Sequence, residues 1–218
     1  MSAADTTPVR PTTPQEAWDA LVSGNRRFAA GAPAAPRRDL ATRAALTGGQ
    51  APFAVVLGCG DSRAPIEVLF DQGLGDVFVI RNAGQVASES ALAGIEFAIE
   101  ALGVSLVVVL AHSGCGAVAG TIAAAAGAAT GPLTARGIVA AVAPALDEAR
   151  TAGDTAPAAV GRIHLQRTVS AVTDASPVIS AALTAGTVQI VGARYDLETG
   201  LVEALETVDV TGRHQFDV

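Results

Sequence analysis

Two apolar runs constrain this chain more than any other feature. Phe53-Ala54-Val55-Val56-Leu57 is continuous, and Val104 to Leu110 is interrupted only by Ser105. Short runs of this kind, rich in β-branched residues, suit strands buried on both faces. Strands of that type belong to parallel sheets, which need crossover connections. Helical stretches separate the runs, so the pattern predicts an α/β fold. Strands are expected at Phe53–Leu57, Asp76–Ile80, Val104–Leu110, Thr187–Ala193 and Leu201–Val208. The first four form a mostly parallel central sheet, and the fifth adds an edge. Helices flank it: one from Pro65 to Phe70, one capped by Ser88 and closed by Gly103, one from about Cys115, and two or three between Gly137 and Ala185.

The chain before the first strand has a different character. Residues 1–12 are small, polar and rich in proline, as disordered segments are. Thr13-Pro14-Gln15-Glu16 reads as a capping box with proline at the first helical position. The helix it opens carries Trp18, Leu21, Val22 and Phe28 as an apolar stripe to about Ala30. Pro33 to Pro36 break the chain, and a short helix covers Arg38 to Leu46. The expected organisation is a disordered tail (1–12), a helical arm (13–50) and an α/β domain (51–218). The arm either crosses a partner subunit or packs on its own core.

Each apolar run leads into chemistry. The first ends in Gly58-Cys59-Gly60-Asp61-Ser62-Arg63, and the third strand leads into His112-Ser113-Gly114-Cys115-Gly116. The two cysteines of the protein lie in these stretches. In open α/β sheets, sites gather at the carboxyl ends of strands, where Cys59, Arg81, His112 and Tyr195 are all expected. Two cysteines and a histidine suit tetrahedral zinc, and three protein ligands leave the fourth position open, as catalytic zinc requires. Zinc acidifies a bound water and produces a nucleophile near neutral pH. Asp61 can take the fourth position or swing aside, accept a hydrogen bond from zinc-bound hydroxide, and pair with Arg63 in a two-pronged contact.

Bulk properties agree with an enzyme of this kind. The net charge of −7 over 218 residues argues against a nucleic-acid surface. The arginine pairs Arg26-Arg27 and Arg37-Arg38 are expected on solvated helix faces or at a subunit contact. No apolar run reaches the roughly 18 residues that span a bilayer, and Met1 to Pro14 lack the apolar stretch of a secretory signal. A cytoplasmic protein without nucleic-acid or membrane partners is expected. Gly58-x-Gly60 after a strand hints at a dinucleotide fold, but Arg63 stands where that fingerprint needs its third glycine.

Cys-x-Asp-x-Arg after a buried strand, then Arg81-Asn82-Ala83-Gly84, then His-x-x-Cys-Gly, resembles the β-class carbonic anhydrases over roughly Gln15 to Gly200. The resemblance implies zinc on Cys59, His112 and Cys115, with Asp61 and Arg63 as catalytic dyad and Asp61 a fourth ligand in a closed form only. It implies reversible hydration of carbon dioxide to bicarbonate and a proton. It also implies homodimers or homotetramers, with N-terminal helices wrapping the neighbouring subunit. Val86 and Leu92 are candidate cleft walls, and the Gly84 amide is a candidate partner for a substrate oxygen. Some relatives bind inhibitory bicarbonate through a Trp, an Arg and a Tyr; Arg81 and Tyr195 match two of these, and Val56 stands at the Trp position. His164 and His214 are expected as ordinary surface or helix residues. Two alternatives stay open: a hydrolase of carbonyl sulfide or carbon disulfide on the same scaffold, and a non-catalytic zinc or thiol sensor.

Overall fold

The computed structural model describes residues 10–129, 131 and 137–208, and the backbone of 214–215. Most of the expected tail (1–9) and of the loop at 127–135 lies outside the described residues. Arg10 and Thr12, in the tail's last part, hydrogen-bond to Pro52 and Glu16.

The sheet has the order β2-β1-β3-β4-β5-β6. Its strands are β1 (Ala54–Cys59), β2 (Val77–Asn82), β3 (Leu106–His112), β4 (Gln189–Tyr195), β5 (Val202–Val208) and β6 (His214–Gln215). The first four run parallel, and β5 and β6 are antiparallel additions. The fifth strand is therefore not the outermost, although β6 covers only Thr207 and Val208. Every residue of β1 and β3 is buried, as continuous apolar runs demand.

The helices are α1 (Pro14–Ala29), α2 (Leu40–Ala45), α3 (Ile66–Leu69), α4 (Glu89–Glu100), α5 (Gly116–Ala125), α6 (Ile138–Thr151), α7 (Pro157–Asp174) and α8 (Pro177–Thr184). One face of the sheet packs Val55, Leu57, Val107 and Val109 against α4, α7 and α8. The other packs Val56 and Val108 against Ala17 and Leu21 of α1 and Ile66 and Leu69 of α3. The chain leaves β1 towards one edge through α3 and leaves β3 towards the other through α5 to α8. The strand order thus reverses between β1 and β3, which opens a crevice beyond their carboxyl ends.

The capping box of α1 forms, with Thr13 Oγ1 accepting from Glu16 N and Glu16 Oε2 from Thr13 N. The arm then docks on its own chain: Trp18 and Phe28 pack on the sheet, and the Phe28 ring lies 6.5 Å from Tyr195. Asn25 is buried and joins three segments, donating to Leu69 O and Gly200 O and accepting from Val202 N. The arginine pairs are less solvated than their sequence suggests, since Arg27 binds Asp71 and Arg37 binds Asp76.

Candidate metal centre

Three donors converge in the crevice. Cys59 closes β1, His112 closes β3, and Cys115 is the residue from which α5 starts. Their ligand atoms lie within 4.8 Å of one another, and all three residues are buried. Both cysteines are free thiols and pack with Val118, Val142, Leu146 and Val160, so apolar walls surround the donors.

The ring of His112 is oriented from behind. Its Nδ1 lies 2.9 Å from the Ser113 carbonyl, an acceptor, so Nδ1 carries the proton. Nε2 then presents a lone pair, and it is buried with no hydrogen-bond partner. A buried nitrogen left unpaired is costly, and a metal ion relieves that cost. Ser113 is itself fixed, its N–H donating to Tyr195 O and its Oγ accepting from Leu197 N.

The sulfurs are also tuned. The two thiols interact directly and titrate as a pair. A hydrogen bond from Cys115 lowers the Cys59 thiol far below its usual range, against burial and with help from His112 and the Gly84 amide. The same contact, with burial, pushes Cys115 up. Burial is the largest single influence on His112 and works against its charged form, but the Cys59 sulfur, the Ser113 carbonyl and Asp61 together outweigh it and raise the ring. Two thiol sulfurs and one imidazole nitrogen form a donor set that fits zinc.

Asp61 stands beside this centre, its Oδ2 3.9 Å from His112 Nε2. Arg63 holds the carboxylate by three contacts: its backbone N–H and Nε each 2.9 Å from Oδ1, and Nη2 2.7 Å from Oδ2. Arg63 Nη2 also donates to Gly114 O. The guanidinium holds the Asp61 carboxyl well below the usual carboxylate range, although partial burial opposes this. Asp61 is therefore an acceptor at any pH near neutral.

Other expected residues are placed differently. Arg81 spends its guanidinium on the loop backbone, Nε donating to Cys59 O at 2.9 Å and Nη2 to Asp61 O at 2.6 Å. Val56 and Tyr195 are buried in the core. The Gly84 N–H points at Cys59 Sγ, 3.4 Å away. Leu92 packs on the core, whereas Val86 is half-buried in a turn closed by Asn82, which accepts from Val86 N and donates to Val86 O. His164 is no surface residue: it is 3% exposed, and its Nε2 lies 2.7 Å from Gly84 O. Its place in a mixed polar and apolar helix gave no local signal of that contact.

Comparisons with known proteins agree with one another. A family profile described as carbonic anhydrase matches residues 54–202. A carbonic anhydrase of Mycolicibacterium smegmatis is 44% identical over 192 residues, covering 88% of this chain and 93% of the relative. A protein named carbonic anhydrase 2 from Mycobacterium tuberculosis is 41% identical over 189 residues, with coverages of 87% and 91%. Among solved structures, one of two tetrameric β-carbonic anhydrases of Sordaria macrospora superposes with a TM-score of 0.67 at 26% identity, over 75% of this chain and 85% of its own.

Proposed function

Because this chain belongs to the β-class carbonic anhydrases, we propose that it hydrates carbon dioxide reversibly to bicarbonate and a proton, with zinc held by Cys59, His112 and Cys115. The observation that carries the reading is the unpaired Nε2 of His112 facing two cysteine sulfurs, with the Asp61 carboxylate alongside. Zinc, when bound, supplies acidification of water, so that a hydroxide nucleophile exists near neutral pH.

The chain's own residues do the rest. Asp61 is ionised and can only accept, so Oδ2 orients a reacting water by receiving its O–H and leaving a lone pair for the carbon of carbon dioxide. Arg63 occupies the far side of the carboxylate and leaves Oδ2 one free acceptor direction. This is positioning, the main term when substrate and nucleophile are both small. Two thiolates reduce the charge of the ion that they hold, so an oriented water matters more here than beside three imidazoles. The apolar walls given by Val118, Val142 and Val160 exclude bulk water from the sulfurs.

We further read residues 13–50 as an arm and 51–218 as the catalytic domain, in a cytoplasmic homodimer or homotetramer; the relative from Sordaria macrospora is a tetramer. Among the described residues, no helix is long and apolar enough to cross a membrane. The test is stopped-flow carbon dioxide hydration at mildly alkaline pH on protein of measured zinc content. Fast hydration, lost on chelation and in Asp61→Ala, is the expected result. No hydration by fully zinc-loaded protein overturns the substrate, and carbonyl sulfide is then assayed with the same preparation.

A further inference from the structure

His164 lies in the middle of α7, remote in sequence from every donor of the metal centre. Its side chain nevertheless ends on the loop that backs Cys59. The Gly84 carbonyl can only accept, so the contact of 2.7 Å makes His164 Nε2 the proton-bearing nitrogen. The other polar group of Gly84, its N–H, donates to Cys59 Sγ at 3.4 Å. One glycine therefore has its carbonyl held by a buried imidazole and its amide aimed at a sulfur.

The loop needs that hold. Gly84 has φ of +78°, and a Cβ there would lie 2.8 Å from the Cβ of Ala117. The backbone thus adopts a left-handed conformation and passes close to α5. Asn82 closes the turn from the loop's own side through its two bonds to Val86. His164 supplies the anchor from outside the loop, on a helix fixed in the core by Leu165 and Val169, both fully buried. Further, the His164 carbonyl accepts from Thr168 Oγ1 within the helix. Burial pushes the imidazole pKa down against the pull of the Gly84 carbonyl, so the ring is a neutral donor near neutral pH.

We propose that His164 is a positioning residue of the metal centre, holding Gly84 so that its amide donates to the Cys59 sulfur. This rests on the reading of Cys59 as a zinc ligand. An N–H aimed at a thiolate draws charge from it and fixes its direction. Groups that orient a metal ligand in this way commonly change metal affinity ten- to a hundredfold when removed. An imidazole that merely filled space in α7 would be replaceable by an apolar side chain of similar size.

The experiment compares wild type, His164→Leu and His164→Gln, each zinc-loaded and cobalt(II)-substituted. Leucine fills the volume without a donor, and glutamine places an N–H near the same point. Expected for His164→Leu are a shifted thiolate-to-cobalt charge-transfer band and, relative to wild type, zinc release and Gly84 amide exchange each about tenfold faster or more. His164→Gln is expected to restore all three towards wild type. Nitrogen-15 NMR of the wild-type ring is expected to show the Nε2–H tautomer, and the Nδ1–H tautomer overturns the proposal without any variant. A wild-type band that Cys59→Ser weakens and shifts but His164→Leu leaves in place, with unchanged zinc release, overturns the role of His164 alone. A wild type with no thiolate-to-cobalt band overturns the zinc-ligand reading and this proposal together. Should His164→Leu fail to fold, His164→Gln decides: retention of the wild-type band and release rate supports the proposal, and their change overturns it.

Discussion

Arg63 grips the carboxylate of Asp61 on both oxygens while the same guanidinium nitrogen reaches the Gly114 carbonyl, one residue before Cys115. A single side chain thus joins the loop after β1 to the loop after β3. It sets where the acceptor stands relative to two of the three metal donors.

Removing that grip is expected to cost activity without costing metal. Arg63→Ala should lower kcat/KM by about 10²-fold or more, with zinc content unchanged, because Asp61 loses its orientation. Arg63→Lys should recover little, since a point charge does not reproduce the fork. Metal analysis alongside stopped-flow kinetics checks both statements.

The pH dependence has a defined sign. Asp61 is held well below the usual carboxylate range, with the Arg63 contact as the largest cause. It therefore stays ionised across the range from about pH 5 upwards, given an ordinary value of about 3.9. A fall in hydration below roughly neutral pH must come from protonation of the nucleophile and not of Asp61. Asp61→Asn should then be inactive at every pH, with no recovery at the alkaline end. A variant that regained wild-type rates at high pH would count against the assigned role.

Chelation should unmask both thiols. Cys59 and Cys115 are buried and meet at the donor cluster, so a zinc-loaded protein should react with a disulfide reagent slowly. The chelated protein should titrate two thiols and melt at a lower temperature, because an ion bound to the folded state stabilises it. Equal thiol reactivity with and without chelator would argue against zinc at these residues.

The arm is tied to the domain by a charge that acid can remove. Asp71 is fully buried and accepts from Arg27 Nε at 2.7 Å and from the backbone N–H of Ala34 and Ala35 at 2.8 Å. Burial alone would raise its pKa, but these three donors together lower it. A carboxylate depressed in the folded state contributes stability above its unfolded pKa of about 3.9, and loses it as pH falls through the folded value. Asp71→Ala should cost about 2–4 kcal/mol near neutral pH, since it leaves buried donors unpaired. Its acid transition below about pH 4 should be shallower than that of wild type. Urea unfolding at neutral and acid pH measures both.

A second test of the arm is steric. A Cβ at Gly24 would lie 1.8 Å from the Phe70 carbonyl oxygen, a backbone atom that cannot turn away. Gly24→Ala should therefore destabilise the protein by about 1–3 kcal/mol through a forced shift of α1, readable as a lower urea midpoint at unchanged slope.

The strands were legible because burial on both faces leaves an unbroken apolar run, and the caps of α1 and α4 because Thr13, Glu16 and Ser88 act within one turn. The meeting of Cys59, His112 and Cys115 was legible for a related reason, since they lie at or just past the ends of those runs. Contacts made across the fold left no such trace. Asn25 reaches Gly200 and Val202, His164 reaches Gly84, and Arg81 folds back on Cys59 and Asp61. Each depends on which elements become neighbours, and no periodicity in the chain encodes that. The direction of the Gly84 amide, aimed at the Cys59 sulfur, is another such contact.

His112 is the last residue of β3, a strand buried along its whole length and paired on both sides, with β1 and β4. Such strands open only when the whole protein opens. A metal ion held from the end of β3 and the end of β1 cannot shed these two donors through the fraying of a surface loop. Release then requires the metal–ligand bonds themselves to break within an intact frame, so its rate is set by the groups that orient the donors and not by the mobility of a surface loop. The frame that carries Cys59 and His112 outlasts the ion, so a centre emptied by a chelator keeps these two donors at neighbouring strand ends, ready for the next ion.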